Sequence, residues 1–272
     1  NVWTNALSIL HLESTTLSDS SGQHTPSWYS ATGGSYSSGQ VGSAVRTYSS
    51  DTKGQFIDTG IDYNHFGSSS DYTFIGWFKM ISDNGYNWTW TKPNTSHSGI
   101  YYNIYSYIDE NNDAGVSLQN TSGTWYLNES YACGNAPSGW HLHGAIVSFS
   151  GSDSLTTIWD NNFTTDNSTS GTIYTNTNTN LTLGGNKNLV SYKYGWQGYV
   201  DEAWVFSDAK SKDWIKCIYN NVANYSTFIT IDGAVTIGSS PKMIFPMWWQ
   251  SSQQLEATVE FTATVAPSLS KV

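Results

Sequence analysis

Alternation of apolar and polar residues with a two-residue period recurs along this chain, whereas helical periodicity is confined to one short segment. Residues 101–108 and 145–149 show the alternation that is typical of half-buried β-strands. Turn-forming clusters of Gly, Asn, Asp and Ser separate such runs, and the abundant Thr, Tyr and Trp suit a pleated surface. The one predicted helix covers residues 210–221, with Asp208 or Ser207 as its cap. The pattern predicts an all-β protein built as an antiparallel sandwich.

Six short motifs, in a fixed order, add detail to this prediction. The most informative is the acidic pair Asp201 and Glu202 inside the apolar run 198–206, which follows the glycine pair 184–185 and precedes a short helix. The others are an Asp-x-x-Gly loop at Asp19, a Gly-x-x-Gly-x-Ala run at 39–44, a Thr-Phe-Ile-Gly-Trp-Phe-Lys run at 73–79, a Trp-His-Leu-His-Gly-Ala run at 140–145 and a Trp-Asp-Asn turn at 159–161. This order resembles that of laminin G-like domains, in the concanavalin A-like lectin/glucanase superfamily.

The resemblance implies a jelly-roll-like β-sandwich over residues 1–226 and leaves residues 227–272 outside the family pattern. This C-terminal β extension alternates strictly over residues 255–265, and its apolar face carries Leu255, Val259, Phe261 and Val265. A segment of about 45 residues is too short to form a stable domain easily on its own. We therefore expect the extension to pack on its own sandwich or on a neighbouring subunit, where these four residues would mediate assembly.

Charged residues make up only 12% of the chain, Arg46 is the sole arginine, and the formal net charge is −10. Nucleic acids and anionic membranes bind basic patches, so both are disfavoured as partners. No apolar run reaches the roughly 20 residues that are needed to span a bilayer. The aromatic content of 15% argues against disorder. Together with the family resemblance, these features predict an extracellular or cell-surface protein.

Eight Asn-x-Ser/Thr sequons agree with an extracellular location, although a chain so rich in Asn, Ser and Thr would contain several by chance. They lie at Asn87, Asn94, Asn120, Asn128, Asn162, Asn167, Asn180 and Asn224. Because most of them fall in predicted polar turns, we expect at least half to carry glycans.

Two cysteines, Cys133 and Cys217, are an even pair. In an oxidising compartment we expect them to form a disulfide. The alternative is a pair of buried free thiols, since a zinc site would need more ligands nearby.

No catalytic motif is evident in the sequence. Glucanases of the superfamily carry paired carboxylates on one face of a strand, whereas Asp201 and Glu202 are adjacent and would point to opposite faces. Some laminin G-like domains bind calcium, and the resemblance makes Asp19, Asp201 and Glu202 the candidate ligands. The alternative is that Asp19 caps a turn and Asp201 makes a buried hydrogen bond. We expect no required cofactor, with calcium as the one ion to consider.

Aromatic residues in the segment 86–90 form a candidate sugar platform. Tyr86, Trp88 and Trp90 could stack on the apolar faces of sugars, with Trp88 and Trp90 on one face of a strand, or they could pack in the core. The leading prediction is a non-enzymatic extracellular surface glycoprotein, adhesive or self-assembling as a filament or surface-layer subunit. Its partners would be copies of itself or other surface proteins. The alternative is a carbohydrate-binding lectin module, and the third candidate is a glycan hydrolase.

Overall fold

The computed structural model describes residues 3–14, 16–29, 35–50, 53–62, 66, 70–82, 87–93, 102–109, 113–133, 139–173, 179–185 and 195–223. Within these ranges the strands form two antiparallel sheets. Their inner faces enclose a shared apolar core. The predicted all-β sandwich is therefore confirmed.

The first sheet has nine strands. They are β1 (Ala6–Leu10), β3 (Tyr36–Ser38), β4 (Ser43–Ser50), β5 (Lys53–Gln55), β7 (Tyr72–Met80), β12 (Trp140–Ser148), β13 (Ser154–Trp159), β14 (Asn162–Asp166) and β16 (Gly198–Phe206). Their spatial order is β14-β13-β12-β7-β16-β4-β3, and β1 also pairs with β16 while β5 pairs with β4. The central strands β7 and β16 therefore come from two of the motifs that carry the family resemblance.

The second sheet has seven strands. They are β2 (Ser27–Trp28), β6 (Ile57–Asp58), β8 (Asn87–Pro93), β9 (Tyr102–Ile108), β10 (Asp113–Gln119), β11 (Trp125–Ala132) and β15 (Thr182–Leu183). Their spatial order is β11-β10-β9-β8-β15-β6-β2. Strands β9, β10 and β11 follow one another in the chain, so their register is set locally.

Large aromatic rings fill the core between the sheets. Trp90 of β8 lies 5.6 Å from Phe74 of β7 between ring centroids, and Trp196 lies 5.4 Å from Phe78. Polar contacts also join the two sheets; among them, the His143 Nε2 atom of the first sheet lies 2.9 Å from the Ser106 Oγ atom of the second. A buried polar pair of this kind fixes how the two sheets face each other.

Helix α1 (Lys212–Ala223) covers the outer face of the first sheet. Its buried residues Ile215 and Ile218 pack on an apolar cluster that includes Trp77 and Phe206. The described residues contain no helix long and apolar enough to cross a bilayer.

The start of the helix differs from the prediction. The Trp214 backbone N–H donates to the Ser211 hydroxyl at 3.1 Å, so Ser211 is the N-cap. Asp208, which the sequence suggested as a cap, instead forms an ion pair of 2.9 Å with Lys210 Nζ.

Cys133 and Cys217 are not joined by a disulfide, so the predicted Cys133–Cys217 bond is wrong for this fold. Cys133 follows β11 and packs against the core between the sheets. Cys217 is exposed on α1, beyond the outer face of the first sheet. The first sheet therefore separates the two thiols. Burial raises the pKa of Cys133 to about 11, which keeps this thiol protonated at neutral pH.

The predicted extension at 227–272 lies outside the described residues. It includes the four proposed assembly residues Leu255, Val259, Phe261 and Val265. Their role in contacts between copies stays a prediction.

Candidate functional site

Three aromatic side chains lie together on the outer face of the second sheet. The alternation of β9 turns Ile104 and Ile108 into the core and leaves Tyr105 and Tyr107 outside it. Trp125, at the start of β11, joins them and is 43% exposed. We call Tyr105, Tyr107 and Trp125 the aromatic ladder.

The rings of the aromatic ladder are nearly parallel. Tyr105 stacks on Tyr107 with ring centroids 4.9 Å apart and an interplanar angle of 21°. The Trp125 ring lies 6.2 Å from that of Tyr105 at an angle of 9°. Trp88 of β8 meets Tyr105 edge-on, at 5.4 Å and 88°. Since Tyr105 is only 9% exposed, the ladder offers Trp125 as its most solvent-accessible ring.

A β-bulge in β11 brings Trp125 to this face. Leu118 of β10 pairs with Leu127, but the next residue, Gln119, pairs with Trp125, so Tyr126 is an extra residue. Tyr126 and Leu127 both pack in the core. Without the extra residue, strand alternation would turn Trp125 inward.

Gly115 of β10 positions the other end of the aromatic ladder. It pairs with Tyr107 across the sheet. A Cβ atom at Gly115 would lie 2.4 Å from Cζ of Tyr107, so the tyrosine ring rests on the bare glycine backbone. Only glycine at this position leaves room for that ring orientation.

The predicted platform of Tyr86, Trp88 and Trp90 does not exist as one surface. A bulge in β8 lies between the pairs Trp88–Tyr107 and Thr91–Tyr105. It leaves Trp88 beside the aromatic ladder and turns Trp90 into the core. The prediction that the two tryptophans share a face is therefore wrong, because one extra residue breaks the alternation. Tyr86 lies outside the described residues.

Polar side chains lie beside the aromatic ladder on the same face of the second sheet. Ser117 of β10 pairs with Tyr105 on one side and with Asn128 on the other. Its hydroxyl donates a hydrogen bond to Asn128 Oδ1. Gln119, which is 5% exposed, lies opposite Trp125. Aromatic rings bordered by hydroxyl and amide groups can stack on an apolar ring face and hydrogen-bond its polar rim.

The acidic pair of the first sheet is buried and its members have separate partners. Asp201 Oδ2 accepts a hydrogen bond of 2.8 Å from the Val41 N–H, and Glu202 Oε2 lies 2.8 Å from His11 Nδ1. Glu202 lies in a bulge of β16 and has a φ of 45°. Asp201 is 0% exposed and Glu202 is 1% exposed. These carboxylates therefore tie β16 to neighbouring segments and do not line the solvent-accessible face of either sheet.

Burial sets the protonation of this pair. It raises the pKa of Asp201 to about 8, so the folded protein retains this proton at pH 7. Burial also raises the pKa of Glu202, although the hydrogen bond and charge of His11 oppose the shift. Burial alone would lower the pKa of His11, but Glu202 and Glu13 outweigh it and raise that pKa.

Asp19 has the turn-capping role that was the alternative to a calcium ligand. Its Oδ1 accepts from the backbone N–H groups of Ile9 and Ser21, both at 2.9 Å. Its Oδ2 accepts from the Ser21 hydroxyl at 2.7 Å and the His24 N–H at 3.0 Å. Within the described ranges, no three His, Cys, Asp or Glu side chains come together as a metal site. Calcium binding at Asp19, Asp201 and Glu202 stays a prediction.

The sequons differ sharply in accessibility. Asn87 and Asn120 are 0% and 4% exposed, so a glycan on either is incompatible with this fold. Asn180 is half-buried and donates to Asp58 Oδ1 at 2.8 Å. The exposed sequon asparagines among the described residues are Asn128, Asn162 and Asn167. Asn94 and Asn224 lie outside the described residues.

No protein-family model and no curated protein sequence matches this chain. Solved structures with a similar fold do exist. The binding domain of Paraclostridial Mosquitocidal Protein 1 has a TM-score of 0.59 at 13% identity, and the match covers 81% of this chain and 53% of that one. This chain therefore spans about half of that toxin domain.

Two further similar structures are parts of glycan-degrading enzymes and were solved with bound oligosaccharides. Domain 4 of AbnA, an extracellular arabinanase from Geobacillus stearothermophilus, was solved with arabinotriose; its TM-score is 0.58 at 14% identity, covering 78% of this chain and 97% of that one. The sialidase module CBM40 of Ruminococcus gnavus was solved with α2,3-sialyllactose; its TM-score is 0.51 at 15% identity, covering 65% and 96%. At these identities the likeness is one of fold. It agrees with a lectin-like sandwich and does not single out laminin G-like domains.

The sequence contains a signal for part of the aromatic ladder. The alternation over residues 101–108 predicts a strand, and it places Tyr105 and Tyr107 on one face of that strand. Trp125 could not be placed from the sequence, because its orientation depends on the bulge at Tyr126.

Proposed function

We propose that this chain is a secreted, non-enzymatic carbohydrate-binding module that binds glycans on the outer face of its second sheet. The observation that carries the proposal is the aromatic ladder, which ends in the exposed ring of Trp125. The proposal favours the lectin alternative over the adhesive or self-assembling function.

The physical argument starts from the chemistry of a sugar ring. One or both faces of a pyranose or furanose carry C–H groups, and its rim carries hydroxyls. The free face of Trp125 would remove the C–H face from water, which contributes about 25 cal/mol for each Å² of apolar surface. The exposed Asn128 amide, whose Oδ1 accepts from the buried Ser117 hydroxyl, would then meet the hydroxyl rim through Nδ2. The stacking of Trp125 with Tyr105 holds the indole in place before a ligand arrives.

The comparisons support this proposal at the level of fold. The arabinanase domain and the sialidase module share the sandwich architecture and were each solved with a bound oligosaccharide. The arabinanase is extracellular, which agrees with the secreted location that we infer here. The absence of catalysis is part of the proposal, since Asp201 and Glu202 are buried away from the aromatic ladder.

The test is a binding assay on the purified chain. A panel of arabinan, xylan, laminarin, cellulose oligosaccharides and sialyllactose would be screened by affinity electrophoresis and titration calorimetry. We expect at least one glycan to bind, and Trp125→Ala to weaken it at least tenfold. Tyr36→Ala is the matched control, because Tyr36 is 61% exposed but belongs to the first sheet.

Three results would contradict the proposal. The first is that no glycan of the panel binds, and the second is that Trp125→Ala binds as well as the parent chain. The third concerns catalysis: release of reducing sugar from any of these glycans, lost in Glu202→Gln, would show that the chain is a hydrolase.

A further inference from the structure

The exposed sequon at Asn128 lies on the same face as the aromatic ladder. Tyr105, Ser117 and Asn128 form one row across β9, β10 and β11, since Ser117 pairs with both of the others. Residues paired in this way point to the same face of a sheet. The Asn128 side chain is also exposed, unlike those of Asn87 and Asn120.

The bulge in β11 brings Trp125 and Asn128 to one face. These residues are three positions apart, so regular alternation would point them to opposite faces. The extra residue Tyr126 places both side chains on the same face. Their partners on β10, Gln119 and Ser117, are only two positions apart. Two positions along a strand span about 7 Å, which is within reach of the first sugar of a glycan on Asn128.

The amide of Asn128 is oriented for attachment. Its Oδ1 accepts the hydrogen bond from the Ser117 hydroxyl, so the carbonyl end is held against β10. The Nδ2 atom, which is the atom that carries an N-glycan, is therefore held away from β10 on an exposed residue.

We propose that Asn128 carries an N-linked glycan whose first sugars pack on Trp125, so that the chain's own glycan occupies its glycan-binding face and limits access to it. Competition between this glycan and an external glycan rests on the proposed function, whereas the contact between the Asn128 glycan and Trp125 does not. The attachment needs a polyprenyl-diphosphate oligosaccharide as donor. A bond forms between Nδ2 and C1 of the first sugar, the bond between C1 and the diphosphate oxygen breaks, and the amide proton is lost to a base of the transferase.

The experiment compares the full chain made in a secretory cell line that N-glycosylates with four variants made in the same cells, namely three single variants and the double variant Ser130→Ala/Trp125→Ala. Ser130→Ala removes the sequon and keeps Asn128. Asn162→Gln removes another exposed sequon, on β14 of the first sheet, and is the control. Trp125→Ala removes the proposed contact. Glycopeptide mapping should find Asn128 occupied in the parent chain.

Two measurements then decide the proposal. In thermal unfolding, loss of the Asn128 glycan through Ser130→Ala should lower the Tm in the parent background and leave it unchanged in the Trp125→Ala background. For the glycan that binds best in the panel above, Ser130→Ala should bind at least tenfold more tightly than the glycosylated parent, and Asn162→Gln should bind as the parent does.

An unmodified Asn128 would overturn the proposal, as would an equal Tm effect in both backgrounds or equal affinity with and without the Asn128 glycan. If no form binds any external glycan, the proposed function fails. The Tm comparison then still shows whether the Asn128 glycan packs on Trp125.

Discussion

The Trp125 and Tyr105 rings are parallel to within 9° although their strands are separated by β10. Neighbouring strands lie about 4.8 Å apart, so the two backbones are separated by about 10 Å, whereas the ring centroids are 6.2 Å apart. The two side chains therefore lean toward each other over β10. This contact turns isolated surface aromatics into one rigid surface, which is what a binding site for a flat ligand requires.

The Gly115→Ala variant tests the support beneath this surface. The new methyl group would displace the Tyr107 ring, and with it the stacking on Tyr105 that contributes about 1 kcal/mol. We expect a fall of about 1 kcal/mol in the free energy of unfolding, measured in urea, and weaker glycan binding. In a Tyr107→Ala background the same change should have almost no effect. An equal loss in both backgrounds would show that the glycine matters for another reason.

The sequence predicts the strands better than it predicts the surfaces they make. The apolar run around Asp201 and Glu202 correctly predicts a strand, because burial of an apolar run does not depend on exact register. The faces of Trp88, Trp90 and Trp125 depend on single extra residues in β8 and β11. A bulge has no clear local signal here, and one residue reverses every face beyond it. The disulfide prediction failed for a related reason. The positions of the strands in the sequence do not show on which side of the first sheet each thiol lies.

His143 makes stability depend on pH on the acidic side. Burial lowers its pKa to about 4 from 6.5, although the contact between Nδ1 and the Ile158 carbonyl oxygen, at 2.9 Å, opposes this shift. Below about pH 6.5 the unfolded chain therefore protonates His143, whereas the folded chain protonates it only near pH 4. Stability should fall as the pH drops through this window, by up to about 3 kcal/mol.

The measurement for His143 is urea unfolding at several pH values between 4 and 7. His143→Gln should be less stable than the parent at pH 7, because its contact with Ser106 changes. Its stability should nevertheless fall less steeply between pH 6.5 and 4. If the stability of parent and variant falls equally steeply with pH, the pKa of His143 is the same in the folded and unfolded states.

Asp201 produces the opposite dependence at higher pH. Its pKa is raised by burial from 3.8 to about 8, so the unfolded chain loses this proton at a pH where the folded chain still holds it. Stability from this group is complete below pH 3.8 and is lost as the pH rises toward 8. Asp201→Asn keeps an acceptor for the Val41 N–H and removes the titration.

We therefore expect Asp201→Asn to stabilise the fold by about 2–4 kcal/mol at pH 7 and by much less at pH 4. Chemical denaturation at the two pH values measures the difference. A variant that is destabilised equally at both would show that the folded protein holds Asp201 as a carboxylate with a compensating partner.

Two buried asparagines should respond in opposite ways to the same substitution. Asn103 of β9 is 2% exposed, and neither of its amide atoms has a hydrogen-bond partner within the described part of the chain. Asn120 is 4% exposed, and its amide donates to Thr124 and Ser170 and accepts from Ser122 and Thr124. Burial without a partner costs about 1–3 kcal/mol, whereas loss of satisfied bonds leaves their partners unpaired.

Leucine is close to asparagine in shape and cannot hydrogen-bond, so it separates the two cases. Asn103→Leu should raise the free energy of unfolding by about 1–3 kcal/mol, because it removes only an unsatisfied amide. Asn120→Leu should lower the free energy of unfolding by at least as much, because the turn at 120–124 loses the acceptor that closes it. Urea denaturation of both variants at pH 7 gives the comparison. If Asn103→Leu is as destabilising as Asn120→Leu, the Asn103 amide has a stabilising partner in solution, and the strand around Tyr105 is held by a hydrogen bond that the alternation of β9 alone does not explain.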